Sequence, residues 1–378
     1  MTLEISDDGK PRKWLILGAC GFIGRHLIEF LVDNDKSSKI FVIDKTPPEI
    51  AWLNEKHANV FKNPKVVFQS ANLIATSSCD KAFEGLDDDI DYVINLASET
   101  RKGQSEPVYK EGILKLTSNV INNVQKKFGD RLKCYIEFST GALYPSDKTL
   151  HKETDKVDQT WSYEVKYKYQ VEQELAKTMK NYIVIRPAIV YGPGDRTGIT
   201  PRLVVGGIYK HLKEMMKLPW TAELRINTIH VHDLVRATYF LCKNGKYGEI
   251  YNIVDNGQTT QGKVSSIISD LFNINHDYWG TAFTTIAKMD VVDVLEDIND
   301  KHMSPWASIC ASNGVGNTPL SPYIHSDALS KRHVSLDGSK LAAAGFTEFK
   351  YDEVTKNSLV EILDDYVQLN MFPRALLE

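Results

Sequence analysis

The sequence predicts a doubly wound α/β fold, a parallel sheet covered on both faces by helices, with a smaller C-terminal lobe. Three observations carry this. An apolar run, Trp14-Leu15-Ile16-Leu17, breaks into glycines at 18, 21 and 24 and resumes with helical spacing: a strand, a tight turn and a helix start. Ser37 to Asp44 reads as a second strand and ends in a carboxylate 20 residues after Gly24. Short β-branched runs then alternate with helical stretches as far as Ile185, the pattern of strands buried on both faces.

The glycines have a chemical meaning as well as a geometric one. Gly18, Gly21 and Gly24 let the backbone turn sharply, let a pyrophosphate approach the main chain, and let the helix pack close on the strand. The helix N-terminus offers free N–H groups to phosphates. Asp44 stands where a dinucleotide fold needs an acceptor for the adenosine ribose hydroxyls, and its charge repels a 2′-phosphate, so NAD is the expected cofactor.

Further along, residues 66–69, 92–97, 134–138 and 182–185 predict the third to sixth strands, and the clearest helices span 113–128 and 166–179. Past Pro187 a Gly/Pro turn leads to a helix-like segment, 202–216, and two strand candidates, 225–231 and 249–254, expected to return to the sheet or its edge. Residues 276–333 are irregular, with Trp279, Pro305, Trp306, Pro319 and Pro322 among polar residues. That stretch is too long for an ordinary connection and predicts a substrate lobe or lid. The resulting division places the cofactor-binding domain at 12–190, with 225–256 returning to it, and the substrate lobe at 191–224 and 257–378.

The chain has 378 residues, 42% of them hydrophobic and 25% charged, an ordinary soluble composition with room for a sizeable core. A net charge of −4 without a basic run argues against nucleic acid as a partner. Five cysteines without CxxC pairs, an odd number, are expected to be reduced thiols of a cytoplasmic protein. The first 13 residues are polar and carry both signs, so a short frayed tail is expected and not a targeting peptide. No apolar stretch approaches the roughly 20 residues of a bilayer span, so no membrane association is expected.

Several motifs stand in one fixed order: Gly18 to Gly24 followed by Asp44, then Asn95-Leu96-Ala97, Ser139-Thr140-Gly141-Ala142-Leu143-Tyr144, Arg186-Pro187-Ala188-Ile189-Val190-Tyr191-Gly192-Pro193-Gly194, and Ile229-His230-Val231-His232-Asp233-Leu234. Over residues 12–256 this resembles the extended short-chain dehydrogenase/reductase superfamily, in its NAD-dependent epimerase/dehydratase group, and the RPxxVYGPG stretch is the most specific part. The resemblance implies a Rossmann domain that binds NAD and an oxidoreductase acting at a carbinol or carbonyl carbon of a small molecule, sugar-like or another alcohol. It allows a homodimer. It makes Phe22 and Ile23 backbone donors to the pyrophosphate and Asp44 the ribose ligand, places Asn72 and Leu73 at the adenine and Leu96 and Ala97 along the middle of the cofactor, and sets Pro187 beside the nicotinamide. Thr140, four residues before Tyr144, becomes the hydroxyl that hydrogen-bonds the reacting oxygen; the plainer role for such a strand-end hydroxyl is to cap local backbone.

The chemistry of this group uses a tyrosine four residues before a lysine on one helix, a spacing of about 40° that puts both side chains on the same face. Between Trp161 and Leu175 no tyrosine stands four before a lysine. The register Lys-x-x-x-Glu-x-x-Leu selects Lys168, which puts Glu164 in the tyrosine's place and Tyr163 one step off. Five residues turn about 140°, so Tyr163 and Lys168 diverge unless the helix begins at or after residue 163. Three alternatives stay open: Tyr163 relays the proton from a helix start or bulge, with Lys168 holding the nicotinamide ribose; Glu164 serves as a carboxylate base; or only cofactor binding is kept, in a scaffold or redox-sensing role.

Ile113 and Leu116 replace the family's Asn and Gly, and Ile226 stands where nucleotide-sugar members carry an arginine, with Arg225 beside it, so a nucleotide-sugar substrate is not favoured. His230 and His232 flank Val231 in a strand-like run and share a face, but with no third ligand no metal site is expected. Asp233 is the expected N-cap of the helix that follows, and Trp279, Met303 and Trp306 are expected in the lobe's core before a substrate pocket.

Overall fold

In a computed structural model of the chain, the described residues are 10–280, 291–326 and 330–378. Residues 1–9 of the expected 13-residue tail, and parts of the 276–333 stretch, lie outside them; Arg12 and Lys13 are not frayed but begin the first strand, paired with Ser37 and Lys39.

The elements run β1 (Arg12–Leu17), α1 (Phe22–Asp33), β2 (Ser37–Asp44), α2 (Glu55–Phe61), β3 (Val66–Ser70), α3 (Thr76–Glu84), β4 (Tyr92–Asn95), α4 (Leu116–Lys127), β5 (Cys134–Phe138), α5 (Tyr163–Thr178) and β6 (Tyr182–Pro187). They continue through β7 (Ile189–Tyr191), α6 (Thr200–Leu212), β8 (Met216–Leu218), β9 (Thr228–His230), α7 (Val231–Asn244), β10 (Glu249–Ile253), α8 (Gln261–Phe272), β11 (His276–Tyr278), α9 (Val291–Ser312), α10 (Ser339–Ala343) and α11 (Lys356–Gln368). Among the described residues a seven-stranded sheet has the order β10-β6-β5-β4-β1-β2-β3 with every pair parallel. The chain leaves β1 toward β2 and β3 and returns on the other side to β4. The gap between β1 and β4 is therefore the topological switch point, outside whose carboxyl ends ligands bind.

Alternation along the strands explains the two covered faces. In β1, Trp14 and Ile16 enter a core with Leu27, Leu31 and Leu234, while Leu15 and Leu17 enter another with Phe83, Val120 and Leu175. A third apolar core gathers Leu203, Ile208, Val264, Phe272, Trp306, Ile309 and Leu359 from α6, α8, α9 and α11, with Phe372 from the segment after α11. Trp306 lies inside it, its indole N–H donating to the Leu320 carbonyl at 3.2 Å, Trp279 packs against it, and Met303 is exposed.

Several expectations need correction. The 113–128 helix begins as a π-turn, Lys110–Lys115, and becomes regular only at Leu116. The 202–216 helix is displaced to α6, because Lys213 adopts a left-handed φ of 54° that ends it before β8. Residues 249–254 do join the sheet, as edge strand β10, but 225–231 contribute only the short β9, which pairs with β7 and not with the central sheet. The irregular 276–333 stretch holds β11 and the 22-residue α9, with Pro305 inside the helix. Its buried stripe is partly polar, which hid the period: Asn299 on that stripe exchanges hydrogen bonds with the Ile324 backbone at 3.0 and 2.7 Å. Asp233 is not the cap of α7. His230 caps the helix by accepting from the His232 N–H, and Asp233 instead accepts from the backbone N–H groups of Lys350 and Tyr351 at 2.9 and 2.7 Å.

Candidate active site at the glycine turn

A cleft of 640 Å³ opens at the carboxyl ends of β1, β2 and β4, the place the topology assigns to a ligand. Gly18 has a left-handed φ of 75°, and a Cβ there would lie 2.7 Å from the Ala97 nitrogen, so the turn requires glycine. A Cβ on Gly24 would lie 2.6 Å from the Ala19 carbonyl oxygen, so α1 meets the turn at backbone contact. Gly21 is the N-cap residue of α1 and supplies no side chain to cap it, and the first turn carries no acid. The N–H groups of Phe22, Ile23 and Gly24 thus remain unspent within the helix and line the cleft, a donor set suited to a phosphate.

Arg25 holds this turn from behind. It is buried, and its guanidinium donates to the carbonyls of Gly21, Cys20, Ala51 and Trp52 at 2.8–3.1 Å, which ties the chain after β2 to the glycine turn. Asp44, at the carboxyl end of β2, accepts from the Cys20 N–H at 3.0 Å and the Thr46 N–H at 2.9 Å. Burial raises its pKa while those N–H groups pull it down. Two acceptances leave carboxylate lone pairs for ribose hydroxyls.

Leu73, Leu96 and Ala97 line the same cleft, as does Asn72, whose Oδ1 accepts from the Ile74 N–H at 3.1 Å in a local turn. Among the expected cofactor residues, Gly18, Gly21, Phe22, Ile23, Gly24, Asp44, Asn72, Leu73, Leu96 and Ala97 are thus brought together. Pro187, Lys168, Thr140 and Tyr163 do not form its wall, although Ile189 and Val190, just past Pro187, do. Thr140 lies two residues past β5, and the residue after it packs on Pro187: a Cβ on Gly141 would lie 2.7 Å from the Pro187 carbonyl oxygen. The Thr140 Oγ accepts from the Ala142 N–H at 3.2 Å, the plainer capping role, and keeps its O–H for donation.

The helix with the shifted register begins at Tyr163, with Ser162 as N-cap accepting from the Val165 N–H. Tyr163 is therefore in the first turn, and it is 46% exposed. Glu164 pairs with Lys102, a residue of the cleft wall, and not in a contact with Lys168. Lys168 is buried and donates to the Phe138 carbonyl at 2.6 Å; burial lowers its pKa, against the pull of Glu137, Glu164 and Glu172.

Two buried charged features on and beside this helix were not among the expected site residues. Glu137, buried on β5, accepts from the Tyr135 hydroxyl at 2.7 Å and the Asn95 amide at 2.9 Å, and burial pushes its pKa up to about 7. Glu172 and Arg186 form a buried two-pronged pair, 3.0 and 2.6 Å, and Arg186 also donates to the Tyr144 hydroxyl at 2.8 Å. A glutamate inside the apolar run 134–138 was the available signal for the first. The second joins two motifs that the sequence presents separately.

His230 and His232 do not share a strand face, since one caps α7 and the other lies in it; their rings meet edge to face at 4.9 Å.

The model of the family described as "NAD dependent epimerase/dehydratase family" matches residues 14–254. The chain belongs to this family. It is similar to the dTDP-D-glucose 4,6-dehydratase of Dictyostelium discoideum, 25% identical over 268 residues, which cover 65% of this chain and 59% of that one. It is also similar to a dTDP-4-dehydro-6-deoxy-D-allose reductase of a Streptomyces species, 24% identical, with 65% and 77% covered. The structure of a dTDP-glucose 4,6-dehydratase from Bacillus anthracis in complex with NAD superposes with a TM-score of 0.67 at 18% identity, covering 97% of this chain and 99% of that one. The chain thus spans about three fifths of the length of the Dictyostelium relative. NAD is the cofactor of the family, and the uncapped helix start, the glycine cradle and Asp44 fit it. No helix of the described residues is long and apolar enough to cross a membrane.

Proposed function

We propose that this protein is an NAD-dependent oxidoreductase of the epimerase/dehydratase type, acting at a carbinol or carbonyl carbon of a sugar-like small molecule. The observation that carries this is the convergence, at the sheet's switch point, of the free N–H groups of Phe22, Ile23 and Gly24 with the Asp44 carboxylate. The sugar class rests on the two relatives, both named as enzymes of dTDP-sugars, and is taken against the expectation drawn from Ile226 in place of the arginine. Five buried, unpaired cysteines suit a reducing compartment, so we place the protein in the cytoplasm.

Bound NAD supplies a hydride acceptor and donor at its nicotinamide. The chain supplies the rest. Phe22, Ile23 and Gly24 would hold the pyrophosphate, Asp44 the adenosine ribose, and Asn72 and Leu73 would border the adenine, while Leu96, Ala97, Ile189 and Val190 line the remaining length, Pro187 leading into the last two. Thr140 donates its O–H to the substrate oxygen. Tyr163, free in the first helical turn, moves the proton at that oxygen, and Lys168 keeps two N–H donors beyond its bond to Phe138 for the nicotinamide ribose. Glu164 is the second choice for the base, because it lies one turn before Lys168 and pairs with a residue of the cleft wall.

The experiment is turnover of dTDP-glucose and related dTDP-sugars with NAD. Tyr163→Phe and Thr140→Val should each lower kcat by about 100-fold or more while leaving NAD binding intact. If Tyr163→Phe keeps full turnover and Glu164→Gln loses it, the relay passes to Glu164; unchanged turnover in all three variants overturns the assignment of the chemistry to this helix.

A further inference from the structure

Behind α1, away from the cleft, two buried imidazoles converge on one carboxylate oxygen. His57 Nε2 lies 2.8 Å from Glu29 Oε2, and His26 Nδ1 lies 3.5 Å from the same atom. Neither nitrogen has the alignment of a hydrogen bond to it, and neither has another partner. Both histidines are at least 97% buried. The other ring nitrogen of His26 is 2.8 Å from the Pro193 carbonyl oxygen. A carbonyl only accepts, so Nε2 carries the proton, and in the neutral ring Nδ1 presents a bare lone pair toward Glu29. Two acceptors facing each other repel unless a cation lies between them.

We propose that His26 Nδ1, Glu29 Oε2 and His57 Nε2 bind a divalent transition cation of the zinc class. Two imidazoles and one carboxylate are an established zinc donor set, and a fourth, tetrahedral position stays open to water. The three donor atoms lie within 4.8 Å of one another. Donors at about 2.0–2.2 Å from a tetrahedral ion stand about 3.4 Å apart, so the His26–Glu29 distance already matches, the His57–Glu29 distance is about half an ångström short, and the two imidazole nitrogens lie within 4.8 Å. The surroundings have the form of a supporting shell: the Pro193 carbonyl fixes the His26 tautomer, and Lys56 engages the other oxygen of Glu29, leaving Oε2 to the ion. Asp33 also meets Lys56 at 3.1 Å, so two carboxylates share that ammonium. Such an ion would tie α1 to α2 and, through Pro193, to the segment after β7. This site is separate from the proposed catalytic residues and does not rest on their assignment.

The test uses the full chain without added histidines, stripped with chelator and titrated with Zn2+ and, separately, Co2+. One Zn2+ per chain is expected, with a rise in melting temperature, and Co2+ should give the visible bands of a four- or five-coordinate ion with nitrogen and oxygen ligands. Glu29→Gln and His57→Asn should each weaken binding by about 10-fold or more, the scale seen even when only supporting residues are removed. His232→Asn, whose ring touches His26 edge to face at 5.1 Å but lies outside the donor set, should bind as the parent does. Absence of a stoichiometric ion, equal affinity in Glu29→Gln, or a Co2+ spectrum like that of the hydrated ion overturns the proposal. If His57→Asn does not fold, Glu29→Gln and the Co2+ spectrum of the parent decide.

Discussion

The ammonium of Lys168 donates to the main-chain carbonyl of Phe138 at 2.6 Å, which pins α5 to the end of β5 one residue before the Ser139-Thr140 pair. A buried cation in this position has a structural duty as well as the proposed catalytic one. Lys168→Met should destabilise the fold by about 1–3 kcal/mol, because it strands the Phe138 carbonyl and removes the cation beside Glu137. Chemical denaturation measures this, and a loss of turnover larger than the loss of folded protein separates the two duties.

Asp44 should set the cofactor preference. Titration calorimetry is expected to show NADH binding tighter than NADPH, with Asp44→Ala weakening NADH by about 10-fold and narrowing the gap, the scale of losing a charged hydrogen bond. Tighter binding of NADPH to the parent would contradict the role given to this carboxylate. Saturating NAD at about 100 times its Kd should add about 2.7 kcal/mol of stability, read as a rise in melting temperature.

The Glu172–Arg186 pair predicts a large stability effect. Both side chains are about 2% exposed. Removing one partner leaves a buried charge, so Glu172→Ala should cost about 3–5 kcal/mol, whereas an exposed pair such as Lys301–Glu214 should give less than about 1 kcal/mol on the same change. Equal, small effects in both variants would show that Arg186 finds water or another acceptor.

Asp255, just past β10, predicts a pH dependence. It is buried, accepts from the Thr228 hydroxyl at 2.7 Å and the Gly257 N–H at 3.0 Å, and burial pushes its pKa up to about 7. Its folded pKa lies above the unfolded value, so between the two the native state binds the extra proton. The stabilisation is complete below about pH 4 and is lost as pH rises through about 7, with a slope of up to about 1.4 kcal/mol per pH unit. Asp255→Asn should flatten that part of the stability profile, and an unchanged slope would assign it to another group.

What the sequence determined by itself is the local and periodic part. Strands with both faces apolar, as in Trp14 to Leu17, specify a covered parallel sheet, and glycine spacing followed by Asp44 specifies a cofactor turn, because backbone conformation and burial are written in neighbouring residues. The helix start at Tyr163, three residues before the expected one at 166, is also local, set by the Ser162 cap. The tertiary structure decided which distant side chains meet. Glu172 finds Arg186, Glu164 finds Lys102 instead of Lys168, and His57 reaches Glu29 across 28 residues, and none of these follows from spacing along the chain. The hidden helix α9 has the same cause: Asn299 is a core residue only because the Ile324 backbone lies opposite to satisfy it, and a polar residue made apolar in effect by a remote partner leaves no periodic trace.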